Sequence, residues 1–502
     1  MLFAAGKAAA QVSAQNLLET QIGKDPFNPA GTDQVDFYDQ ANIEAMFASF
    51  RMGLRFETNR TSLEALQPSY NEFSQRWAEW NDERMRVRVG NFYTLIGRGL
   101  VHRSFELKGV ILDDISTTSR YAPSRDVDGA LVEAGAGPFE AVLLSGSPNL
   151  GQLAPSAGDV RYTGQLNLAS GGVRFLRGSR VGGTYALFTE QAGARTEIAS
   201  GILELDPARL AGVEEVQTPI YVEYAMRQPD FERFFEFPTG DNGPGTALCA
   251  AANALWGPLG ISAEWKSYRD FTLGYNDPPS LVREHSFPLL NRNTHVLDAS
   301  HEDGFQIEGT AVLGPFGTLT ANVSRADGFT AAPKRFEERY VELQVGPGTS
   351  WQAIVFADDG KDLFPAASIS DRTVAGATGL VTLREIWGVT ADVEFMDAQK
   401  VNFFGTPTYK VVERWVSVGF SRAGWGSIAA QWERTTDPVF ADPSSPDEPN
   451  TFVAGVVTAD LSQRHQLRLF AGERRGGPAC TAGTCYIVAP FQGVEMRLTS
   501  RF

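Results

Sequence analysis

The chain has 502 residues, 60 acidic against 44 basic side chains and a formal net charge of −16. That balance lacks the cationic footprint a nucleic-acid partner needs. No apolar run approaches the roughly 18 residues of a membrane-crossing helix. Fifty glycines with 33 Phe, 13 Tyr and 9 Trp suit a β-rich protein whose strands are apolar on one face only.

In chain order, residues 1–14 resemble a truncated export signal, with Val12-Ser13-Ala14 as a small-x-small triplet. Residues 15–44 are polar, contain Pro26, Pro29 and Gly31, and read as a periplasmic tail that docks a partner. Residues 45–502 read as one β domain. Period two then dominates. Phe50, Met52, Leu54 and Phe56 alternate with Arg51, Gly53, Arg55 and Glu57, and Met85, Val87 and Val89 with Arg84, Arg86 and Arg88. The pattern returns in Leu259, Ile261, Ala263 and Trp265 against Ser262, Glu264 and Lys266. It appears again in Trp387, Val389, Ala391 and Val393 against Asp392 and Glu394. The chain ends with Val494, Met496, Leu498 and Phe502 on one face, with Ser500, and Glu495, Arg497, Thr499 and Arg501 on the other.

The connections alternate as well. Tight turns at Asn81-Asp82, Gly137-Pro138, Gly257-Pro258, Gly314-Pro315, Gly346 to Gly348, Gly424 to Gly426 and Ser462 to His465 take turns with long polar links such as Tyr275 to Gly304. An antiparallel meander in an outer membrane does this, with short periplasmic turns and long outer loops. The expected fold is all-β, a single transmembrane antiparallel up-and-down barrel of about 18 to 22 strands. A soluble β-sandwich or propeller is the competing fold. Mid-strand charges on the polar face, the number of strands and the absence of a linker favour the barrel.

The terminal Phe502, preceded by Leu498, Met496 and Val494, resembles the C-terminal assembly signal of Gram-negative outer-membrane β-barrel proteins. Val89-Gly90-Asn91-Phe92-Tyr93, Gly97-Arg98-Gly99-Leu100 and Glu264-Trp265-Lys266-Ser267-Tyr268 look like segments of uncharacterised porin-like barrels. The resemblance implies residence in the outer membrane, in a bilayer with lipopolysaccharide, and delivery by the barrel-assembly machinery. It also implies a passive channel for small polar or charged solutes. The alternative is a structural barrel whose lumen is filled by its own side chains or by a periplasmic or surface protein.

Lumen-facing charges are the candidate site. Arg51, Arg55, Arg84, Arg86, Arg88, Arg468, Arg497 and Arg501 converge on barrel closure as a basic pore wall. Glu223, Glu264, Glu342, Asp392 and Glu394 form an acidic wall opposite, giving a transverse field. The competing expectation is that these charges close inter-strand salt bridges and fill the lumen. Arg98 and Arg103, with Asp113 and Asp114 as counter-charges, are a candidate constriction, although the segment from Leu100 to Arg125 also reads as an ordinary outer loop. Cys480 and Cys485 are expected to form a loop-stapling disulfide, and Cys249 to be a small buried or lipid-facing residue. His285, His295, His301, Glu302 and Asp303 match no zinc spacing and read as a solvated loop. Gly146-Ser147-Pro148 and Gly178-Ser179-Arg180 fail the nucleophile-elbow pattern. No catalysis, cofactor or metal is expected.

Overall fold

The computed structural model describes residues 11–25, 33–62, 69–106, 124–149, 164–213, 215–229, 245–328, 334–348, 350–364, 367–402, 405–440, 449–481 and 484–502. The wall begins with Gln11–Lys24 (β1), Gln34–Phe47 (β2), Phe50–Thr61 (β3), Tyr70–Asn81 (β4), Met85–Phe92 (β5), Val127–Ala136 (β6), Phe139–Pro148 (β7) and Gln165–Arg174 (β8). It continues through Arg180–Thr189 (β9), Arg195–Leu205 (β10), Ile220–Pro229 (β11), Gly245–Trp256 (β12), Leu259–Arg269 (β13), His301–Val312 (β14), Gly317–Gly328 (β15) and Lys334–Val345 (β16). It finishes with Trp351–Asp362 (β17), Ile369–Leu383 (β18), Trp387–Val401 (β19), Pro407–Arg422 (β20), Gly426–Thr435 (β21), Asn450–Ser462 (β22), His465–Arg474 (β23) and Phe491–Arg501 (β24).

Each strand pairs antiparallel with its sequence neighbour, and β1 pairs with β24 from Gln15 opposite Arg501 to Lys24 opposite Gln492, which closes the barrel. Closure leaves no free edge, as a spanning sheet requires. The wall therefore has 24 strands, with Val216–Gln217 as a short twenty-fifth outside it, against the end of β12. This corrects the expectation of about 18 to 22 strands. The shortfall lies at the start of the chain: within the expected tail of residues 15–44, residues 15–24 and 34–44 belong to β1 and β2 of the wall, as do residues 11–14 of the expected signal segment. Residues 1–10 lie outside the described residues. In β1 the lipid-facing row contains Asn16 and Thr20 beside Leu18 and Ile22, and the lumen-facing row includes Leu17, so the alternation is weak there. In β2 the outward row Val35, Phe37, Ala41, Ile43 and Phe47 is broken only by Asp39, so this strand was legible and was passed over.

The apolar face of the alternating segments points outward. Met52, Leu54, Val89, Ile261, Trp265, Phe395 and Val494 are exposed on the outer surface of the closed wall. Phe47, Phe50, Phe139, Trp256, Phe316, Trp351, Trp425 and Phe502 are exposed at the end that carries the tight turns. An apolar band with an aromatic girdle is the signature of a barrel set in lipid. The protein is an outer-membrane β-barrel, with its tight turns and both strand termini on the periplasmic side. Phe502 completes closure there, donating its N–H to Ala14 O at 2.8 Å and accepting from Ala14 N–H at 3.1 Å.

A wall this wide encloses more space than its own side chains can fill. Two segments from the outer end turn back into it. Thr94 to Glu106 follows β5, and Asp270 to Ser300 joins β13 to β14, with a short helix, Pro288–Asn291 (α1), inside the lumen. Phe287, Leu289 and Leu290 of this plug pack on the inward side chains Tyr340, Phe356, Val374, Met396, Val411 and Trp415. Phe271, Leu273 and Tyr275 join Ile96, Leu100 and Val101 in a second cluster against β6 to β12. Each fully buried Leu or Phe contributes about 1.5–3 kcal/mol. The long link is thus no solvated loop: it is a hydrophobic core placed inside a pore.

Candidate functional site: the lumen

The predicted basic residues do converge, because β23 and β24 close onto β1 and run on through β5. The intervening strands, however, bring carboxylates. Arg497 lies 2.5 Å from Glu19 on β1 and 3.8 Å from Glu495. Arg86 is 3.0 Å from both Glu79 on β4 and Glu133 on β6, and Arg88 is 3.3 Å from Glu79. Arg55 is buried, 2.5 Å from Glu106 of the inward segment, and donates to Asn42 Oδ1 at 2.7 Å. Arg51 is half exposed, 3.5 Å from Glu44. Arg468 stands opposite Arg497, while Arg84 and Arg501 are exposed near the periplasmic rim. A uniformly basic wall is therefore corrected to an arc of arginines interleaved with acids. The sequence reading missed the acids on β1 and β2 because it had discounted those strands.

The acidic residues all face inward but spread from β11 to β19 and are occupied. Glu264 is 3.3 Å from Arg98, whose N–H also donates to Tyr221 Oη at 3.0 Å. Glu223 accepts from Tyr221 at 2.5 Å and Ser200 at 3.1 Å. Glu342 accepts from Tyr340 at 2.6 Å and lies 3.8 Å from Arg283 of the plug. Glu394 accepts the Leu289 N–H at 2.9 Å, at the start of α1. Asp392 faces the lumen level with Thr378 and Ser417. This wall thus receives the plug more than it lines open water.

Arg98 and Arg103 lie inside the barrel on the inward segment, so the ordinary-outer-loop reading does not hold for residues 94–106. The Arg103 N–H donates to Asn276 Oδ1 at 2.8 Å, and the Asn276 amide donates to Gly99 O at 3.0 Å and Leu100 O at 3.1 Å, tying the two inward segments together. Asp113 and Asp114 lie outside the described residues.

What the sequence did not mark is the density of ionic contacts around the plug. Arg292 pairs with Glu433 at 2.6 Å, and His285 lies 3.2 Å from Glu338, which shares Arg372 with Asp358. Lys266 pairs with Glu302, which is 3.2 Å from His295 Nε2, and His295 Nδ1 is 3.0 Å from Asp362. Burial opposes a charge on His295, but Asp362 and Glu302 outweigh it and raise its pKa to about 9. His102 goes the other way: burial, with Arg125 nearby, lowers it to about 4, so it is neutral and stacks on Tyr275. The one available signal was Phe287-Pro288-Leu289-Leu290, an apolar run too greasy for a solvated link.

Cys480 is disulfide-bonded and stands opposite Cys485 in a small hairpin, while Cys249 is free and buried, level with Glu223 and Lys266 on the lumen face. The hairpin does not project outward. Cys480 N–H donates to Asn291 Oδ1 at 2.8 Å and Cys480 O accepts from the same amide at 2.7 Å, so it clasps the end of α1.

Among the described residues, two cavities lie along the arginine-bearing arc. One of about 680 Å³ lies beneath Tyr93 and Phe105 and is lined by Arg51, Arg55, Trp77, Arg88 and Arg501. The second, of about 490 Å³, lies under Leu95 to Gly97, where Arg84, Arg86 and Arg180 are matched by Asp82, Glu133 and Glu140. Both reach the periplasmic rim.

A family model described as a family of unknown function, DUF6029, matches residues 21–113, which span β2 to β5 and the first inward segment. No curated protein matches the chain. Among solved structures, the siderophore receptor PirA from Pseudomonas aeruginosa is 10% identical, covering 99% of this chain and 81% of its own, with a TM-score of 0.47. The outer membrane protein OpdK from P. aeruginosa is 11% identical, covering 74% and 96%, with a TM-score of 0.43. A BenF-like porin from Pseudomonas fluorescens Pf-5 is 10% identical, covering 71% and 94%, with a TM-score of 0.40. The assignment to the outer membrane rests on the closed wall, its apolar exterior and its aromatic girdle.

Proposed function

We propose that the protein is an outer-membrane channel for small polar or charged solutes, with its path along the arc from β23 to β5. The observation that carries this reading is the arginine-lined cavity of about 680 Å³ at the periplasmic rim of that arc. The two inward segments form the constriction, and diffusion through it requires no cofactor and no bond chemistry. Purified protein in a planar bilayer is expected to give stable open steps. Replacing Arg84, Arg86 and Arg88 together by Glu is expected to move the reversal potential toward cations, and an unchanged reversal potential would remove the arc from the path.

A second reading, a structural barrel, is favoured by the plug, whose buried ion pairs fill the lumen from β13 to β21. A barrel that inserts fully yet never opens would support it against the channel.

A further inference from the structure

We infer that the larger cavity is a subsite for a compact organic dianion, gripped by Arg51 and Arg88 around a fixed Trp77 platform. This deepens the channel reading and takes the class of its solute from it. The platform is built by the wall. Trp77 on β4 points into the lumen opposite Gly53 on β3. A Cβ on Gly53 would sit 2.5 Å from the indole Cε2 and Nε1, so glycine is what lets the ring lie flat against the sheet. The Arg88 guanidinium lies 3.9 Å from the ring centroid and that of Arg51 lies 6.0 Å from it. Both guanidinium groups thus lie within 6.0 Å of one indole, separated by no more than those two distances together, which is the reach of a short dicarboxylate.

The side chains lining the cavity are four arginines, Arg51, Arg55, Arg88 and Arg501, against two carboxylates, Glu44 and Glu106, with Arg55 taken by Glu106 at 2.5 Å and Arg88 backed by Glu79, outside the lining, at 3.3 Å. Arg88 commits its Nε to Asn91 O at 2.8 Å and its Nη1 to Glu79 at 3.3 Å, which fixes the guanidinium in position. Arg51, at 3.5 Å from Glu44 with both side chains half exposed, is held loosely enough to turn toward a solute. The neighbouring cavity has equal numbers of arginines and acids and offers no such surplus. A cavity of about 680 Å³ also accommodates a small organic ion with water to spare.

The test is calorimetric titration of the full chain in detergent micelles with succinate and with its neutral isostere succinamide. Succinate is expected to bind and succinamide not. Arg51→Gln and Arg88→Gln should each weaken succinate about tenfold, the loss of one charge-assisted hydrogen-bonding partner. Gly53→Ala should weaken it by displacing the indole, as should Trp77→Leu, and Trp77→Phe should recover most of the affinity. Arg51→Gln alters a half-exposed rim residue and leaves the fold intact, so it stays informative if Gly53→Ala misfolds. Succinate binding no better than succinamide, or binding that survives both arginine substitutions, would overturn the proposal. Binding is read without conduction. A protein that binds succinate yet gives no bilayer steps refutes the channel and leaves the subsite standing, and an open channel indifferent to succinate does the reverse.

Discussion

Two arcs of the same barrel use the same inward residue types and reach opposite outcomes. From β23 through β5, arginines pair with carboxylates on neighbouring strands and leave two cavities at the rim, the larger with more arginines than acids in its lining. From β11 through β21, carboxylates of the wall instead meet cations and N–H groups of segments folded in from the outer end: Glu264 with Arg98, Glu394 with Leu289, Glu433 with Arg292. The difference is not in how charged the walls are. It lies in the apolar residues that accompany the charges. Tyr340, Phe356, Met396 and Trp415 point inward on the second arc and give Phe287, Leu289 and Leu290 something to bury against.

That contrast is broken most directly by removing the plug. Replacing residues 276–298 with a short Gly-Ser link should convert the filled arc into open lumen, and single-channel conductance in planar bilayers should rise several-fold or more. Retention of heat-modifiable mobility on gels would show that the wall still closes. If conductance stays the same, the plug does not stand in the path. A smaller effect follows from removing one member of the buried network. Lys266→Met removes one partner of Glu302 in a fully buried pair, and breaking a buried pair from one side costs about 3–5 kcal/mol. Chemical unfolding in micelles should register that loss, whereas Arg51→Met, which leaves a half-exposed pair at the rim, should cost about 0–1 kcal/mol.

The wall itself was legible wherever the lipid-facing row is continuously apolar, as in Phe50 to Phe56, Leu259 to Trp265 and Val494 to Leu498. Its tight turns fall on one end, as their spacing implied. Legibility failed at β1, whose outward row carries Asn16 and Thr20 and whose inward row includes Leu17, while β2, with Val35, Phe37, Ile43 and Phe47 outward and Asp39 as its one break, was readable and was taken with β1 for a polar tail. The lumen was half legible. Period two identified which charges face inward, but pairing across β1, β2 and β4 depends on register, and register is a property of the closed sheet. Glu79, which serves both Arg86 and Arg88, lies in a strand whose inward row also holds Trp77 and Gln75, and nothing local marks it. The plug was illegible for a different reason. Its clasp joins Asn291 to Cys480, and its anchor joins Arg292 to Glu433, partners more than 100 residues apart in the chain.

The smallest expected effect sharpens the comparison through pH, because only the filled arc carries a buried histidine with a raised pKa. His295 is held charged by Asp362 and Glu302, with its pKa at about 9, against about 6.5 in an unfolded chain. A group whose folded pKa is raised stabilises the fold fully below its unfolded value and loses that contribution as pH climbs through the folded value. The plug should therefore be held in full below about pH 6.5 and released progressively as pH rises through about 9, leaving two carboxylates facing a neutral ring. Protection factors of the amides from Leu289 to Asp298, taken against the base-catalysed intrinsic exchange rate at each pH, should fall over that interval, while those of β3 and β5 should stay constant. His295→Gln should show the lower protection at every pH and lose the dependence. If the protection factors of the wild-type plug are equal at pH 7 and pH 10, then the charge on His295 does not hold it in the lumen, and the apolar anchors of α1 alone account for the filled arc.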